Sequence, residues 1–113
     1  MPKSHRSALA KFRCGVAPLN IELGRYNGTP LDERLCLACV QSVETEQHVL
    51  VECDHYDSER LDLFDKSRTL VSDFDTLCAL DKFVVVMSHP ELQRISARTC
   101  FDILSVHRRF IRA

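Results

Sequence analysis

The feature that most constrains this chain is a group of three cysteines and one histidine within 18 residues. They follow the pattern C-x2-C-x8-H-x4-C, and we call them the CCHC set: Cys36, Cys39, His48 and Cys53. Three thiols and one imidazole are the donor number and softness that tetrahedral Zn²⁺ prefers. The pattern therefore predicts a zinc site. The alternative is that these are scattered core cysteines, because the chain has six cysteines in all.

A full set of four protein ligands predicts a structural rather than a catalytic ion, because catalytic zinc keeps one coordination position for water. Such an ion would supply folding energy on the order of 10 kcal/mol. His55 is an alternative ligand, since it follows Cys53 by two residues. A redox role for the Cys36/Cys39 pair is the weaker interpretation, because the downstream His48 and Cys53 explain that pair better. No motif for catalysis is present, and we expect no enzyme activity.

The composition of the chain limits the cellular compartments in which we expect the protein. No apolar run approaches the roughly 20 residues that a membrane-spanning helix needs. The start of the chain, MPKSHRSALAKFRCG, is basic but has no apolar core of the kind found in secretory signals. We therefore expect an intracellular protein, nuclear or cytoplasmic, in which cysteines bind metal or remain free thiols. A secreted disulfide scaffold is the alternative, and the few glycines and prolines fit it poorly.

The net charge of −1 conceals an uneven distribution. Residues 1–25 carry five Lys or Arg against one acid, and residues 91–113 carry five Arg against two acids. The middle of the chain is strongly acidic. Two basic ends make nucleic acid a candidate partner, and an ordinary solvated surface is the alternative.

Apolar periodicity predicts a mostly α fold, a small helical domain built around a CCHC zinc knuckle. We expect helices over about 4–13, 55–71, 76–88 and 90–111. Alternation of Leu19, Ile21 and Leu23 adds a short strand, or one short β-hairpin, before the knuckle. In the helix over 76–88, five apolar residues are expected to be buried: Leu77, Leu80, Phe83, Val84 and Met87. The whole chain, 1–113, is interpreted as one domain: a basic N-terminal part (1–34), the zinc module (35–54) and a three-helix part (55–113).

Helix geometry constrains the second ligand pair. Five residues of an α-helix turn through about 500°, so His48 and Cys53 would point about 140° apart within one helix. We therefore expect the helical turn that carries His48 to end before Cys53.

The last predicted helix carries its positive charge on one side. With about 100° per residue, its arginines fall within an arc of about 100°, opposite the apolar face. We call them the arginine ridge: Arg94, Arg98, Arg108, Arg109 and Arg112. Together with Lys11, Arg13 and Arg25 they are the candidate contacts to nucleic-acid phosphates.

Several segments, in this order, are recognisable. They read A-L-A-K-F-R, I-E-L-G-R-Y, D-E-R-L-C-L-A-C, E-T-E-Q-H-V-L-V-E-C, Y-D-S-E-R and L-D-K-F-V-V-V-M-S, followed by the basic last helix. Over roughly residues 7–112 the chain resembles the C-terminal zinc-binding region of non-LTR (LINE-like) retrotransposon reverse transcriptases. The resemblance is most specific from Ile21 to Arg60, and it places the CCHC set at the zinc-ligand positions. The polymerase domain of that family, with its Tyr-x-Asp-Asp string, is missing from this sequence.

The resemblance implies a non-catalytic accessory region that contacts template RNA or target DNA with low specificity. Its role would be similar to that of retroviral nucleocapsid zinc knuckles, although the x8 spacing before His48 is longer than theirs. The alternatives are a zinc-stabilised module that binds a polymerase domain or another protein, and a retroelement-derived fragment with no activity of its own. A membrane partner is not expected.

Overall fold

The computed structural model describes residues 1–19, 21, 23–24 and 27–112, and within them the protein is mostly helical and has no β-strand. The α-helices are α1 (Lys3–Cys14), α2 (Asp57–Leu70), α3 (Ala79–Ser88) and α4 (Gln93–Arg112). Shorter helical turns cover Leu31–Glu33, His48–Glu52, Asp54–Tyr56, Phe74–Thr76 and Pro90–Leu92. The radius of gyration is 13.7 Å, close to the roughly 13 Å of a compact domain of this length. The mostly α fold class is thus confirmed.

Helix α1 packs along α4, the longest helix among the described residues. It buries Ala8, Leu9 and Phe12, which recur on one side at helical spacing. Gly15 ends it with a left-handed backbone (φ 68°), and its N–H donates to the Lys11 carbonyl. Glycine adopts this conformation without the steric cost that a side chain would add.

Helix α2 covers the other part of the core with Leu63, while Tyr56 is fully buried just before it. Phe64 meets Phe74 edge to face, with ring centroids 5.1 Å apart. The helix begins at Asp57, two residues later than predicted, because residues 54–56 form a 3₁₀ turn. Arg60, which lies on the inner side of α2, is buried with them.

Helix α3 presents only part of the predicted face to the core: Phe83 and Met87 are half-buried and pack against it, as does Leu77 just before the helix. Val86 is fully buried, whereas Leu80 and Val84 are 57% and 51% exposed. The Val86 carbonyl accepts a hydrogen bond from Ser96 Oγ at 2.7 Å, so this side of α3 lies against α4. The prediction is wrong for Leu80 and Val84, because apolar residues occupy more than one side of α3 and periodicity then does not select the buried side.

The strand predicted over 19–23 is wrong for the described residues of that segment. Ile21, Leu23 and Gly24 are helical, and the Leu23 N–H donates to the Leu19 carbonyl four residues earlier. The three alternating apolar residues were too few to distinguish a strand from a turn of helix. Extended pairing among the described residues is limited to a single antiparallel bridge between Leu35 and Val43. That bridge lies at the base of the CCHC set.

Helix α4 forms the centre of the fold, with α1, α2 and α3 all packed against it. Its inner side is almost entirely buried: Ser96, Ala97, Thr99, Cys100, Ile103, Leu104 and His107. The predicted helix over 90–111 is confirmed from Gln93 onward, after a 3₁₀ turn over 90–92.

Candidate metal centre

The first two cysteines lie on a tight hairpin closed by the Leu35–Val43 bridge. The Cys36 N–H donates to the Ser42 carbonyl at 2.8 Å, and the Val40 N–H donates to the Cys36 carbonyl at 2.9 Å. Val40 has a left-handed backbone with φ 57°, which is rare for a β-branched residue. This turn brings the Cys36 and Cys39 sulfurs to the same side of the hairpin, where they join the other two ligands.

The second ligand pair lies at the two ends of a π-helical turn. Thr45 Oγ1 accepts a hydrogen bond from the His48 N–H at 3.1 Å, and the turn then runs over His48–Glu52. The Cys53 N–H donates to the His48 carbonyl at 2.8 Å, five residues back. Cys53 itself is extended (φ −72°, ψ 122°), so the predicted end of the turn before it is confirmed. The i→i+5 hydrogen bond makes this turn wider than an α-helical turn, and the wider turn allows the His48 and Cys53 side chains to face one point.

The donor atoms of the CCHC set all lie within 4.8 Å of one another. Cys36 Sγ is 3.9 Å from Cys53 Sγ, and Cys39 Sγ is 3.4 Å from His48 Nε2. Tetrahedral zinc, with bonds of about 2.3 Å to sulfur and 2.05 Å to nitrogen, requires edges of about 3.8 Å and about 3.6 Å. These two distances are close to the tetrahedral edges, so the four residues lie near enough together to hold one metal ion. His55, the alternative ligand, is exposed and lies outside the cluster.

Burial sets the protonation of the ligands when no metal is bound. It raises the pKa of Cys36 to about 12 and raises that of Cys53 as well. Burial also acts on Cys39, but backbone hydrogen bonds at Gln41 and Ser42 outweigh it and lower the pKa of that thiol. Desolvation lowers the pKa of His48, so its imidazole is neutral at pH 7, as a ligand must be. Without a metal ion, Cys36 and Cys53 are therefore protonated thiols at neutral pH, and a bound cation would replace their protons.

One positive charge is buried next to the ligands. The Arg60 side chain is only 4% exposed, and its guanidinium donates to the Cys53 carbonyl and, at 3.5 Å, to the Val49 carbonyl. Its ion-pair partner Asp57 is 3.6 Å away and 68% exposed. Zn²⁺ with three thiolates and a neutral imidazole has one net negative charge. Arg60 would balance that charge, and sequence analysis missed it because nothing in the sequence shows that this arginine faces inward.

A buried acid joins the hairpin to the last helix. Glu44 Oε2 accepts a hydrogen bond from the Leu37 N–H at 2.9 Å, inside the Cys36–Cys39 loop. Its other oxygen, Oε1, lies 2.7 Å from His107 Nε2, and both side chains are essentially inaccessible to solvent. The contact between Glu44 and His107 was not predicted from the sequence either. Its one visible signal was a histidine on the apolar face of the last helix, which needs a polar partner once buried.

The predicted nucleic-acid contacts are on the surface where the structure describes them. Arg94, Arg98, Arg108 and Arg109 are exposed on α4, and Lys11 and Arg13 are exposed on α1. Arg98 approaches Asp102 at 3.8 Å, and Arg13 donates to the Met87 carbonyl at 3.0 Å. Arg25 and the side chain of Arg112 lie outside the described residues.

No protein family, curated protein or solved structure matches this chain. The resemblance to non-LTR reverse transcriptases thus rests on its residue pattern alone. None of the described helices combines the length and apolarity needed to cross a membrane.

Proposed function

We propose that the CCHC set binds one structural Zn²⁺ and that the chain is a zinc-stabilised, non-catalytic binding module. The observation that supports this best is that all four donors lie within 4.8 Å of one another, with one sulfur–sulfur and one sulfur–nitrogen distance close to the edges of a zinc tetrahedron. Thiolate-rich tetrahedral sites select zinc over magnesium, calcium or manganese, which prefer oxygen donors.

A structural role follows from what the ligands connect. Cys36 and Cys39 belong to the hairpin, and His48 and Cys53 belong to the π-helical turn. Few backbone hydrogen bonds hold these two short segments to each other. An ion that binds both would stabilise the fold by an amount on the order of 10 kcal/mol, which exceeds what such short elements contribute themselves.

Metal analysis tests the proposal directly. Protein purified without added metal is expected to contain one equivalent of zinc, and the double variant Cys36→Ser plus Cys53→Ser is expected to contain none and to unfold at a much lower urea concentration. The matched control is Cys14→Ser plus Cys78→Ser, since both cysteines are exposed and outside the cluster. Less than half an equivalent in the wild-type protein, or unchanged folding of the first variant, would contradict a structural zinc.

A second candidate function is sequence-tolerant binding of RNA or DNA, supported by the exposed arginines of α4. The described members of the ridge lie on one side of that helix, and among them only Arg98 has an ion-pair partner. Such a surface contacts phosphates and displaces counterions, so binding weakens steeply as salt increases. An origin in the tail of a non-LTR reverse transcriptase belongs to the same proposal, and polymerase motifs upstream in the reading frame would support it.

A gel-shift titration at low salt tests the second candidate with a single-stranded oligonucleotide of about 20 nucleotides. Arg108→Ala plus Arg109→Ala is expected to weaken binding by several-fold and to reduce its salt dependence. Absence of binding at tens of micromolar protein, or binding that does not respond to salt, would exclude it.

A further inference from the structure

A concave surface beside helix α1 is not explained by the metal centre. Two adjoining cavities, of about 500 and 580 Å³, share Met1 and Gln93 on their borders, and we call them together the α1 groove. The first cavity runs along α1 past Leu9 and Ala10. The second runs past Pro90 to Leu70, at the end of α2. Each volume is in the range of protein ligand pockets.

The rim of the α1 groove is positively charged. Four cations line it, with Glu91 as the single acid: Arg6, Arg13, Lys66 and Arg94. Among the described residues, Arg6, Lys66 and Arg94 have no ion-pair partner, and Arg13 is bonded to a backbone carbonyl rather than to an acid. Arg94 also lies in the first turn of α4, where the helix dipole is positive. This concentration of uncompensated charge favours an anionic occupant.

The walls of the groove determine which anion fits. Met1, Ala10 and Leu70 provide apolar contact surface between the cations. None of the described residues that line the groove is aromatic, so it lacks the stacking platform on which proteins bind single-stranded nucleic acid. We propose that the α1 groove binds a short acidic peptide segment whose apolar side chains contact these walls while its carboxylates face the cations. This interaction does not depend on the metal centre.

Fluorescence anisotropy of the zinc-loaded full chain tests this inference with three labelled probes. They are a peptide of alternating Glu and Leu, the same peptide with Gln in place of Glu, and an oligouridine of similar length. We expect saturable binding of the Glu/Leu peptide with Kd on the order of tens of micromolar. Arg6→Glu plus Lys66→Glu should weaken it by about tenfold or more. Arg108→Glu plus Arg109→Glu is the matched control, about 21 Å further along α4 from Arg94, and should leave peptide binding unchanged.

Four results would overturn the inference. They are no saturable binding of the Glu/Leu peptide, equal binding of the Gln peptide, equal loss in both variants, and displacement of the peptide by oligouridine that binds tighter to the same residues. The last result would make the groove a nucleic-acid site. Should Arg6→Glu plus Lys66→Glu fail to fold, peptide-induced amide chemical shifts in the wild-type protein decide instead. They should be largest in α1 and in residues 90–94, and shifts confined to other regions would count against the proposal.

Discussion

His107 Nε2, near the end of the last helix, lies 2.7 Å from Oε1 of Glu44, which falls between the two ligand pairs in the sequence. The two residues are 63 positions apart in the sequence. Because the second oxygen of Glu44 accepts from the Leu37 N–H, this pair connects the Cys36–Cys39 loop to α4. Docking of α4 and the shape of the metal loop should therefore depend on each other.

The Glu44–His107 pair is expected to show strong coupling in a double-mutant cycle of Glu44→Gln and His107→Gln. Each single change replaces the direct Glu44–His107 interaction with a weaker amide contact and should cost about 1–3 kcal/mol, with a coupling energy of about 1–3 kcal/mol. Urea unfolding of the zinc-loaded protein measures both. The exposed pair Arg98 and Asp102, changed to Ala in a parallel cycle, should couple by less than about 0.5 kcal/mol. Similar coupling in both pairs would show that Glu44 and His107 do not hold the fold together.

Arg60 should strengthen zinc binding through its charge and through its hydrogen bond to the Cys53 carbonyl. Arg60→Met leaves the net negative centre without a buried counter-charge and the carbonyl without its donor. We expect the zinc affinity to fall by at least about tenfold. Arg60→Lys keeps the charge but loses the planar guanidinium group, so the zinc affinity should fall less than in Arg60→Met. Competition with a chromophoric chelator measures the affinities.

Arg68→Met is the matched control for Arg60, because Arg68 lies two turns further along α2 and pairs with Asp65 and Asp75 at the surface. Its zinc affinity should equal that of the wild type. An unchanged affinity in Arg60→Met would instead show that the buried cation has no role at the metal centre.

The metal-free and zinc-loaded proteins should respond to pH in opposite directions. Burial raises the pKa of Cys36 from 9.0 to about 12 in the metal-free fold. A group whose pKa is higher in the folded than in the unfolded protein stabilises the fold at pH values below its unfolded-state pKa. This stabilisation is lost as the pH rises through the folded-state pKa. The free energy of unfolding of the metal-free protein should therefore decrease above about pH 9. Zinc affinity should instead rise with pH, because bound zinc replaces thiol protons.

Calorimetry in buffers of different ionisation enthalpy counts the protons released by zinc binding. At pH 7 we expect at least two protons per ion, because burial keeps the Cys36 and Cys53 thiols protonated in the metal-free protein and Cys39 can release a third. Release of fewer than one proton would mean that Cys36 and Cys53 are not ligands.

Val40→Gly is expected to stabilise the protein. The left-handed backbone of Val40 costs a β-branched residue about 1–2 kcal/mol, and its side chain is 61% exposed and adds little packing. After the entropy cost of glycine, a net gain of about 0.5–1 kcal/mol should remain in the free energy of unfolding. Val16→Gly is the control: that side chain is 54% exposed, and its φ is not positive. It should be neutral or destabilising, and a loss of stability in Val40→Gly would show that the Val40 side chain makes a contribution of its own.

Prediction from the sequence succeeded where the signal was local. The helices over 4–13 and 90–111 were found within a few residues because each has a distinct apolar side. The end of the turn before Cys53 followed from helix geometry alone. The strand predicted over 19–23 and the burial predicted for Leu80 and Val84 in α3 were wrong, because a few alternating residues and an apolar surface on several sides of a helix are compatible with more than one structure.

The amino-acid sequence by itself determined the donor set, since three thiols and an imidazole at this spacing have a chemistry that is independent of their surroundings. It also determined the charge on the outer side of α4. Only the tertiary structure decided what surrounds the ligands: Arg60 from α2, Glu44 from the hairpin and His107 from α4. The reason is physical, because burial of a charged side chain depends on which distant segment packs over it. The placement of Arg6 from α1 and Lys66 from α2 on the rim of the α1 groove arises in the same way.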